Sequence, residues 1–286
     1  MPDMNFRRLN YQSLTYTNMK TRAITGFFFV AVMLASVLLG VYAFTLFFLI
    51  LSILSVEEFY RLVSTDEVKP QKRWGLALTI SIYLPLCLYF FKDEPLQYLL
   101  ICVPLSVLII VAELYRNRPN PFHNIAYTLF GVLFAAVPFC FFYGIAFIGG
   151  EYSSHYPLGF LILLWASDTG AYLAGTTLGK HKLFERHSPK KTWEGFAGGL
   201  IASMAAALIL SIYFRELPLI HWLGVSVIIV VAGTLGDLSE SMLKRSVSAK
   251  DSGSLLPGHG GLLDRFDGLL LAAPLVFVYL QLINIL

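Results

Sequence analysis

Apolar residues fall into long, nearly uninterrupted blocks separated by short polar segments. Most blocks approach the ~20 residues that a helix needs to cross the hydrocarbon core of a bilayer. Lipid offers no partner for backbone N–H and C=O groups, and the blocks lack the alternation of barrel strands. The pattern therefore predicts an all-α fold, a polytopic integral membrane helical bundle of about nine transmembrane helices, at residues 23–40, 42–60, 74–91, 97–115, 125–149, 157–178, 194–214, 219–238 and 267–286.

The amino-acid composition also indicates a protein that lies in the lipid bilayer. Hydrophobic residues make up 57% of the 286 residues and charged residues only 14%, against about 25% charged in ordinary soluble domains. The first block follows a basic segment but lacks a small-residue cleavage site, so we interpret it as a retained helix and not as a signal peptide.

Cysteine usage adds no chemistry. The three cysteines, Cys87, Cys102 and Cys140, all lie within predicted spans and show neither CxxC nor Cys/His spacing. We interpret them as small apolar residues, without a disulfide or a zinc site.

The distribution of Lys and Arg predicts the orientation. With a cytoplasmic N-terminus, the 21 Lys and Arg residues fall on the cytoplasmic side except for Lys92 and Arg215. The positive-inside rule then predicts N-in and C-out. We divide the chain into a cytoplasmic tail (1–22), a transmembrane scaffold of about five helices (23–150) and a catalytic region of about four helices (151–286).

This orientation places the two richest polar segments, 179–193 and 240–265, on the cytoplasmic side, next to an acidic residue inside a span. Asp168 lies in "LILLWASDTGAYLAG", where a carboxylate costs about 2.5–3.5 kcal/mol at a helix centre and needs a cavity, a cation or a base. A protonated Asp168 that helps two helices to pack is the alternative.

The segment "RHSPKKTWEGFAGG" suggests a helix start, with Ser188 as the cap and Pro189 in the first turn. Lys190 and Lys191 would then lie at the positive end of the helix dipole, a conflict that a bound phosphate would resolve. Anchoring at the membrane surface is the alternative. Gly195 and Gly199, four residues apart, are more typical of a helix-packing face than of a phosphate loop.

The longest polar stretch runs from Asp237 to Asp267. Glu240 and Lys244 have the i, i+4 spacing of a helical ion pair. Asp264 and Asp267, three apart, would share one face of a helix, although acidic residues in a first turn also fit the dipole alone. Several carboxylates and bases at one interface favour a site for phosphates and Mg²⁺.

His259 lies between glycines in "LPGHGG" and could orient a phosphate, titrate, or simply face solvent. Gly260 and Gly261 would give the backbone the freedom to bring it to a phosphate.

Residues 241–267 read "SMLKRSVSAKDSGSLLPGHGGLLDRFD". This stretch resembles the signature of the phosphatidate cytidylyltransferases (CDP-diacylglycerol synthases): Ser, two residues, Lys-Arg, four residues, Lys-Asp, then Pro-x-His-Gly-Gly and Asp-Arg-x-Asp. "SPKKTWEG", the Asp168 segment and "GDLSES" also resemble family motifs. The similarity is specific over about residues 160–286, whereas the first 150 residues match only in hydropathy.

The resemblance implies transfer of CMP from CTP to phosphatidate at a multi-pass inner (cytoplasmic) membrane protein, with the active site facing the cytoplasm. It implies Mg²⁺ as cofactor and a second cation, for which K⁺ is a candidate. We expect CTP, phosphatidate and membrane lipids as partners and no nucleic acid, and a homodimer is a candidate assembly. The implied metal carboxylates are Asp237, Asp264 and Asp267, and Asp168 and His259 complete the catalytic set. The implied substrate-binding residues are Lys190, Lys191, Thr192, Ser241, Lys244, Arg245, Lys250, Asp251 and Arg265.

Two other functions remain open at this stage. A CDP-alcohol phosphotransferase is also polytopic and metal-dependent, but its usual motif, which begins Asp-Gly-x-x-Ala-Arg, is not found in the chain. An ion-coupled transporter would use Asp168 and Asp237 as cation sites near the midplane, whereas the polar residues here cluster towards one face.

Overall fold

The computed structural model describes residues 24–249, 251–253 and 260–285, with side chains as far as residue 283. Within these ranges the fold is the predicted all-α bundle. Its helices are α1 (Ile24–Leu38), α2 (Val41–Val63), α3 (Lys72–Lys92), a 3₁₀ helix (Leu96–Ile101), α4 (Cys102–Arg116), α5 (Pro121–Ala135), α6 (Val137–Ile145), α7 (His155–Leu178), α8 (Trp193–Tyr213), α9 (Leu219–Ser246) and α10 (Leu263–Ile285).

Eight segments of the described chain are long and apolar enough to cross a membrane. They correspond to the last eight predicted spans. The first predicted span, 23–40, appears as the shorter apolar helix α1. Several predicted bounds were wrong: α9 continues past residue 238 to Ser246, and α10 begins at Leu263 rather than at 267.

One predicted span, 125–149, is two helices. Pro138 lies in the first turn of α6, directly after the break at Ala136. A proline lacks a backbone N–H and its ring collides with the preceding turn, so a helix is interrupted on its N-terminal side. Pro138 therefore explains why α5 ends at Ala135 and a new helix, α6, begins at Val137.

The segment between α7 and α8 is a β-hairpin, so the predicted helix start at Ser188 and Pro189 was wrong. Strand β1 (Lys182–Phe184) pairs antiparallel with β2 (Ser188–Thr192). Because this sheet has only two strands, β2 is an edge strand, where proline is tolerated. The cap of α8 is Thr192, whose hydroxyl accepts from the N–H of Gly195 at 3.1 Å.

Helices α7 and α8 pack backbone against backbone, which confirms the interpretation of Gly195 and Gly199. A Cβ on Gly195 would lie 3.0 Å from the carbonyl oxygen of Ala171, and one on Gly199 would lie 2.9 Å from that of Ser167. Small residues allow such close approach between membrane helices.

The main hydrophobic core draws on both the scaffold and the catalytic region, so the two are packed together. Phe44 and Phe48 of α2 contact Phe142 of α6, which in turn meets the ring of Phe160 of α7 edge-to-face. The three cysteines are free, as expected, and two of them, Cys87 and Cys140, are buried. The division into two regions of different role stays a prediction.

Candidate active site

A cavity of about 680 Å³ lies between the hairpin and the helices α1, α7, α8, α9 and α10. The residues that α1 contributes to the lining are mostly apolar, among them Phe29, Val30 and Met33. The hairpin, α9 and α10 contribute most of the charged residues that the sequence singled out. The charged residues and the cap among its lining are Asp168, Lys190, Lys191, Thr192, Asp237, Asp264, Arg265 and Asp267.

Three carboxylates meet beside this cavity. Asp237, Glu240 and Asp267 can each offer one oxygen such that these atoms all lie within 4.8 Å of one another. Asp237 and Glu240 are three residues apart on α9 and therefore share a face of that helix, while Asp267 comes from the first turns of α10. Negative charges gathered at this separation repel one another unless a cation or a base compensates them.

The close approach of α9 and α10 creates this group. A Cβ on Gly236 would lie 2.3 Å from the carbonyl oxygen of Asp267, so no larger residue fits without a shift. A Cβ on Gly268, on the opposite helix, would lie 3.7 Å from the Cα of Gly233. Glycines placed directly beside Asp237 and Asp267 thus bring the two acidic residues together.

The three carboxylates of Asp237, Glu240 and Asp267 could bind a hard divalent cation, because all the atoms they offer are oxygens. Oxygen ligands from carboxylates are those that Mg²⁺ prefers. Both carboxylate oxygens of Glu240 are buried and neither accepts a hydrogen bond of good geometry from the described residues, although the ammonium of Lys244 lies 2.5 Å from Oε2. A buried carboxylate with unused acceptor positions is expensive unless a charged partner is supplied.

Two lysines of the hairpin line the same cavity, and one of them contacts a carboxylate of the group. Lys191 forms an ion pair with Asp237, and Lys190 precedes it in β2. Neither lysine belongs to the first turn of α8, so the expected conflict with the helix dipole does not arise. Their basic charge nevertheless reaches the site, through the hairpin rather than through a helix end.

The hairpin is fixed to α8 by Glu194. Its carboxylate accepts hydrogen bonds from the backbone N–H groups of Lys180 and His181, at 3.1 and 3.2 Å, and lies 2.6 Å from Nδ1 of His181. Because these contacts close the base of the hairpin, they restrict where Lys190 and Lys191 can lie.

Asp264 lies outside this carboxylate group and has donors of its own. Oδ1 receives the ammonium of Lys244 at 2.6 Å, while Oδ2 accepts from the backbone N–H groups of Ser252 and Gly261, each at 3.0 Å. Among the three predicted metal carboxylates, the structure therefore brings Asp237 and Asp267 together and adds Glu240, whereas Asp264 holds a loop. Metal binding by Asp264 stays a prediction.

Lys244 links the two acidic arrangements. The predicted helical pair with Glu240 is confirmed at 2.5 Å, and the same ammonium contacts Asp264 at 2.6 Å. Lys244 thus contacts carboxylates on both α9 and α10. Substrate binding by Lys244 stays a prediction.

The remaining predicted residues lie at different distances from the cavity. The hydroxyl of Ser241 donates to Asp237 at 3.4 Å and so belongs to the site's surroundings. Arg245 is exposed and donates to the carbonyl oxygen of Ala249, and Asp251 is exposed without lining the cavity. Lys250 and His259 lie outside the described residues.

Sequence reasoning gave too small a role to two acidic residues. Glu240 was assigned only to a pair with Lys244, although its spacing from Asp237 already places both on one helix face. Glu58 is buried against the start of α10, although its position near the cytoplasmic end of the second predicted span is equally typical of an interface anchor. An acidic residue inside a predicted span was the signal available for it.

Comparison with known proteins gives an independent result. A model of the cytidylyltransferase family matches residues 20–283. The chain is similar to the phosphatidate cytidylyltransferase of Bacillus subtilis (strain 168), with 32% identity over 268 residues, 93% of this chain and 99% of the relative. It is also similar to the proteins of the same name from Staphylococcus haemolyticus (strain JCSC1435) and Staphylococcus aureus (strain COL), each with 34% identity over 92% of this chain and 99% of the relative.

Proposed function

Because the chain belongs to the cytidylyltransferase family, we propose that it transfers CMP from CTP to phosphatidate, producing CDP-diacylglycerol and pyrophosphate. The names of its relatives and the extent of the similarity support this substrate pair. The product serves phospholipid biosynthesis, and the reaction joins a soluble nucleotide to a lipid.

The two-sided cavity is the observation that carries the proposal. Lysines and carboxylates form its polar side, while Phe29, Val30 and Met33 of α1 contribute to its apolar side. A nucleotide triphosphate matches the first surface and acyl chains match the second. A site for only one of these substrates would not need both surfaces within one cavity of about 680 Å³.

The reaction needs no nucleophilic side chain. An oxygen of the phosphatidate phosphate forms a bond to the α-phosphorus of CTP, and the bond from that phosphorus to the bridging oxygen breaks. Pyrophosphate leaves with the electron pair. The main task of the protein is to bring two polyanions together and to stabilise charge on the leaving group.

Asp237, Glu240 and Asp267 would hold Mg²⁺, which supplies positive charge to the phosphates when bound. Lys190 and Lys191 of the hairpin and Arg265 of α10 also line the cavity and would bind phosphate oxygens. The ion pair of Lys191 with Asp237 orients this lysine before substrate arrives. Asp168 lines the same cavity from α7 and adds negative charge that orients bases and cations.

The distribution of Lys and Arg along the chain supports a membrane location and an orientation for the protein. We place the protein in the cytoplasmic membrane, N-in and C-out, so that the hairpin and the α9–α10 loop face the cytoplasm, where CTP is soluble. The catalytic role of residues 151–286, the second cation K⁺ and the homodimer stay predictions.

The two alternatives are less favoured. A transporter would need related halves and broken helices around a midplane site, and it leaves the lysines of the hairpin unexplained. A CDP-alcohol phosphotransferase lacks its usual acidic motif in this chain. Neither alternative matches the family model that covers residues 20–283.

The test uses purified full-length protein with radiolabelled CTP, phosphatidate vesicles and Mg²⁺. We expect label in CDP-diacylglycerol and release of unlabelled pyrophosphate when the label is on the α-phosphate. Asp267→Asn is the matched inactive control. Absence of labelled lipid, together with absence of CTP binding, overturns the proposal; transfer to a lipid alcohol in its place supports the phosphotransferase.

A further inference from the structure

Glu58 is a buried carboxylate on α2, a helix that contributes no residue to the lining of the catalytic cavity. Its residue is only 4% exposed. The carboxylate accepts hydrogen bonds from the hydroxyl of Ser252 at 2.6 Å and from the backbone N–H groups of Leu262 and Leu263 at 2.8 and 2.9 Å. Three donors compensate the burial of its charge, which would otherwise be costly.

The two backbone donors belong to the start of α10. The first N–H groups of a helix have no partner within the helix and are usually satisfied by a side chain just ahead of it. Here the partner is 204 residues earlier in the chain than Leu262, on α2. The N-terminus of α10 is thus fixed to the scaffold by Glu58.

Further hydrogen bonds connect Glu58 to residues next to the carboxylate group. The hydroxyl of Ser252 lies between Glu58 Oε1, at 2.6 Å, and Asp264 Oδ2, at 3.0 Å. Asp264 in turn contacts Lys244, and Asp267 follows one helical turn later on α10. Any movement of the first turn of α10 therefore moves Asp267 relative to Asp237 and Glu240.

The backbone packs so closely around Glu58 that no side chain fits at Gly253 or Gly261. A Cβ on Gly261 would lie 2.3 Å from Glu58 Oε1, and a Cβ on Gly253 would lie 2.8 Å from Oε2. The backbone on both sides of the carboxylate must therefore be glycine or move away. This packing sets the distance between α2 and the segment that leads into α10.

We propose that Glu58 is a positioning residue for the reaction, acting through the first turn of α10 to hold Asp267 in the carboxylate group. This proposal rests on the proposed function for its kinetic readout. It also assigns the N-terminal helices a role in turnover, since α2 determines the geometry of a site that α9 and α10 build.

The adjacent residue gives a matched control. Glu57 pairs with Arg61 at 3.0 Å and has a side chain 37% exposed, whereas Glu58 is buried against α10. Glu58→Gln keeps size and one acceptor oxygen but presents N–H groups to the backbone donors. Glu57→Gln removes the same charge one residue away without touching α10.

We expect Glu58→Gln to lower kcat about 10- to 100-fold, the range caused by small misplacements of catalytic groups. KM for CTP should change less than about threefold, because the lysines of the cavity are untouched. The Mg²⁺ concentration for half-maximal activity should rise. Hydrogen exchange in peptides within residues 260–268 should accelerate while other spans keep their protection. Glu57→Gln should match the wild type in all four measurements.

The exchange measurement does not require catalysis, so an inactive wild-type protein would refute the proposed function while exchange still tests the contact. Unchanged exchange in Glu58→Gln overturns the positioning role. So does a kcat within twofold of the wild type, or a loss that Glu57→Gln reproduces. If Glu58→Gln does not fold, Ser252→Ala, which removes only the hydroxyl between Glu58 and Asp264, must lower kcat while KM for CTP is retained; unchanged kcat overturns the proposal.

Discussion

The backbones of Gly236 and Asp267 are in direct contact, and a Cβ on Gly236 would lie 2.3 Å from the carbonyl oxygen of Asp267. This contact brings α9 and α10 to the separation at which Asp237, Glu240 and Asp267 share one site. The absence of a side chain at Gly236 thus allows the geometry of the three carboxylates.

Gly236→Ala should push the two helices apart. We expect a loss of about 1–3 kcal/mol in stability from overpacking and a decrease in kcat of at least about tenfold. Gly149→Ala is the control, because a Cβ there has no atom within 4 Å. Thermal unfolding in detergent and initial rates check both variants; wild-type kcat in Gly236→Ala would show that the spacing of the helices does not control turnover.

The carboxylates should separate into two classes by their response to Mg²⁺. Asp267→Asn and Glu240→Gln should lower kcat at least about 100-fold, or raise the Mg²⁺ requirement correspondingly, through loss of ligands. Asp264→Asn should lower stability by about 2 kcal/mol, since it loses charged hydrogen bonds.

The residual activity of Asp264→Asn should show a Mg²⁺ requirement raised no more than that of Glu58→Gln, because both changes act through the first turn of α10. A Mg²⁺ titration of initial rates, with unfolding followed in parallel, measures the difference. A Mg²⁺ requirement raised as far as in Asp267→Asn would place Asp264 among the metal ligands, as the sequence resemblance implied.

Lys191 should act mainly on CTP binding. Lys191→Ala removes a charge at the cavity and leaves Asp237 without its base. A charged hydrogen bond contributes about 1.5–3 kcal/mol, so KM for CTP should rise about 10- to 100-fold. Lys182→Ala, on strand β1 of the same hairpin, removes an exposed lysine that does not line the cavity and should leave KM unchanged. Equal effects of the two variants would indicate a general charge effect.

The predicted orientation can be tested by labelling single cysteines. Glu67 lies in the α2–α3 loop and Glu94 in the segment after α3, and both loops lie outside the helices. In a variant without the three native cysteines, a membrane-impermeant maleimide should label Glu94→Cys in intact cells but label Glu67→Cys only after lysis. The reverse pattern would invert the topology.

The sequence alone determined the fold class and the candidate chemistry, for reasons that are local. Blocks of apolar residues need helices in lipid whatever their neighbours are, so the spans were predictable, with errors at the ends of α9 and α10. The family resemblance depended on residue types at fixed spacing, and the comparison with relatives confirmed it.

Only the tertiary structure decided which side chains meet. The hairpin replaced the expected helix start because strand pairing and the Thr192 cap outweigh a Ser-Pro signal. Backbone contact between α9 and α10 places Glu240 beside Asp237 and Asp267. Asp264 instead accepts hydrogen bonds from the backbone of Ser252 and Gly261. The contact of Glu58 with the start of α10 spans more than 200 residues of sequence, 204 for Leu262. Such a pairing depends on packing between helices, which no local pattern encodes.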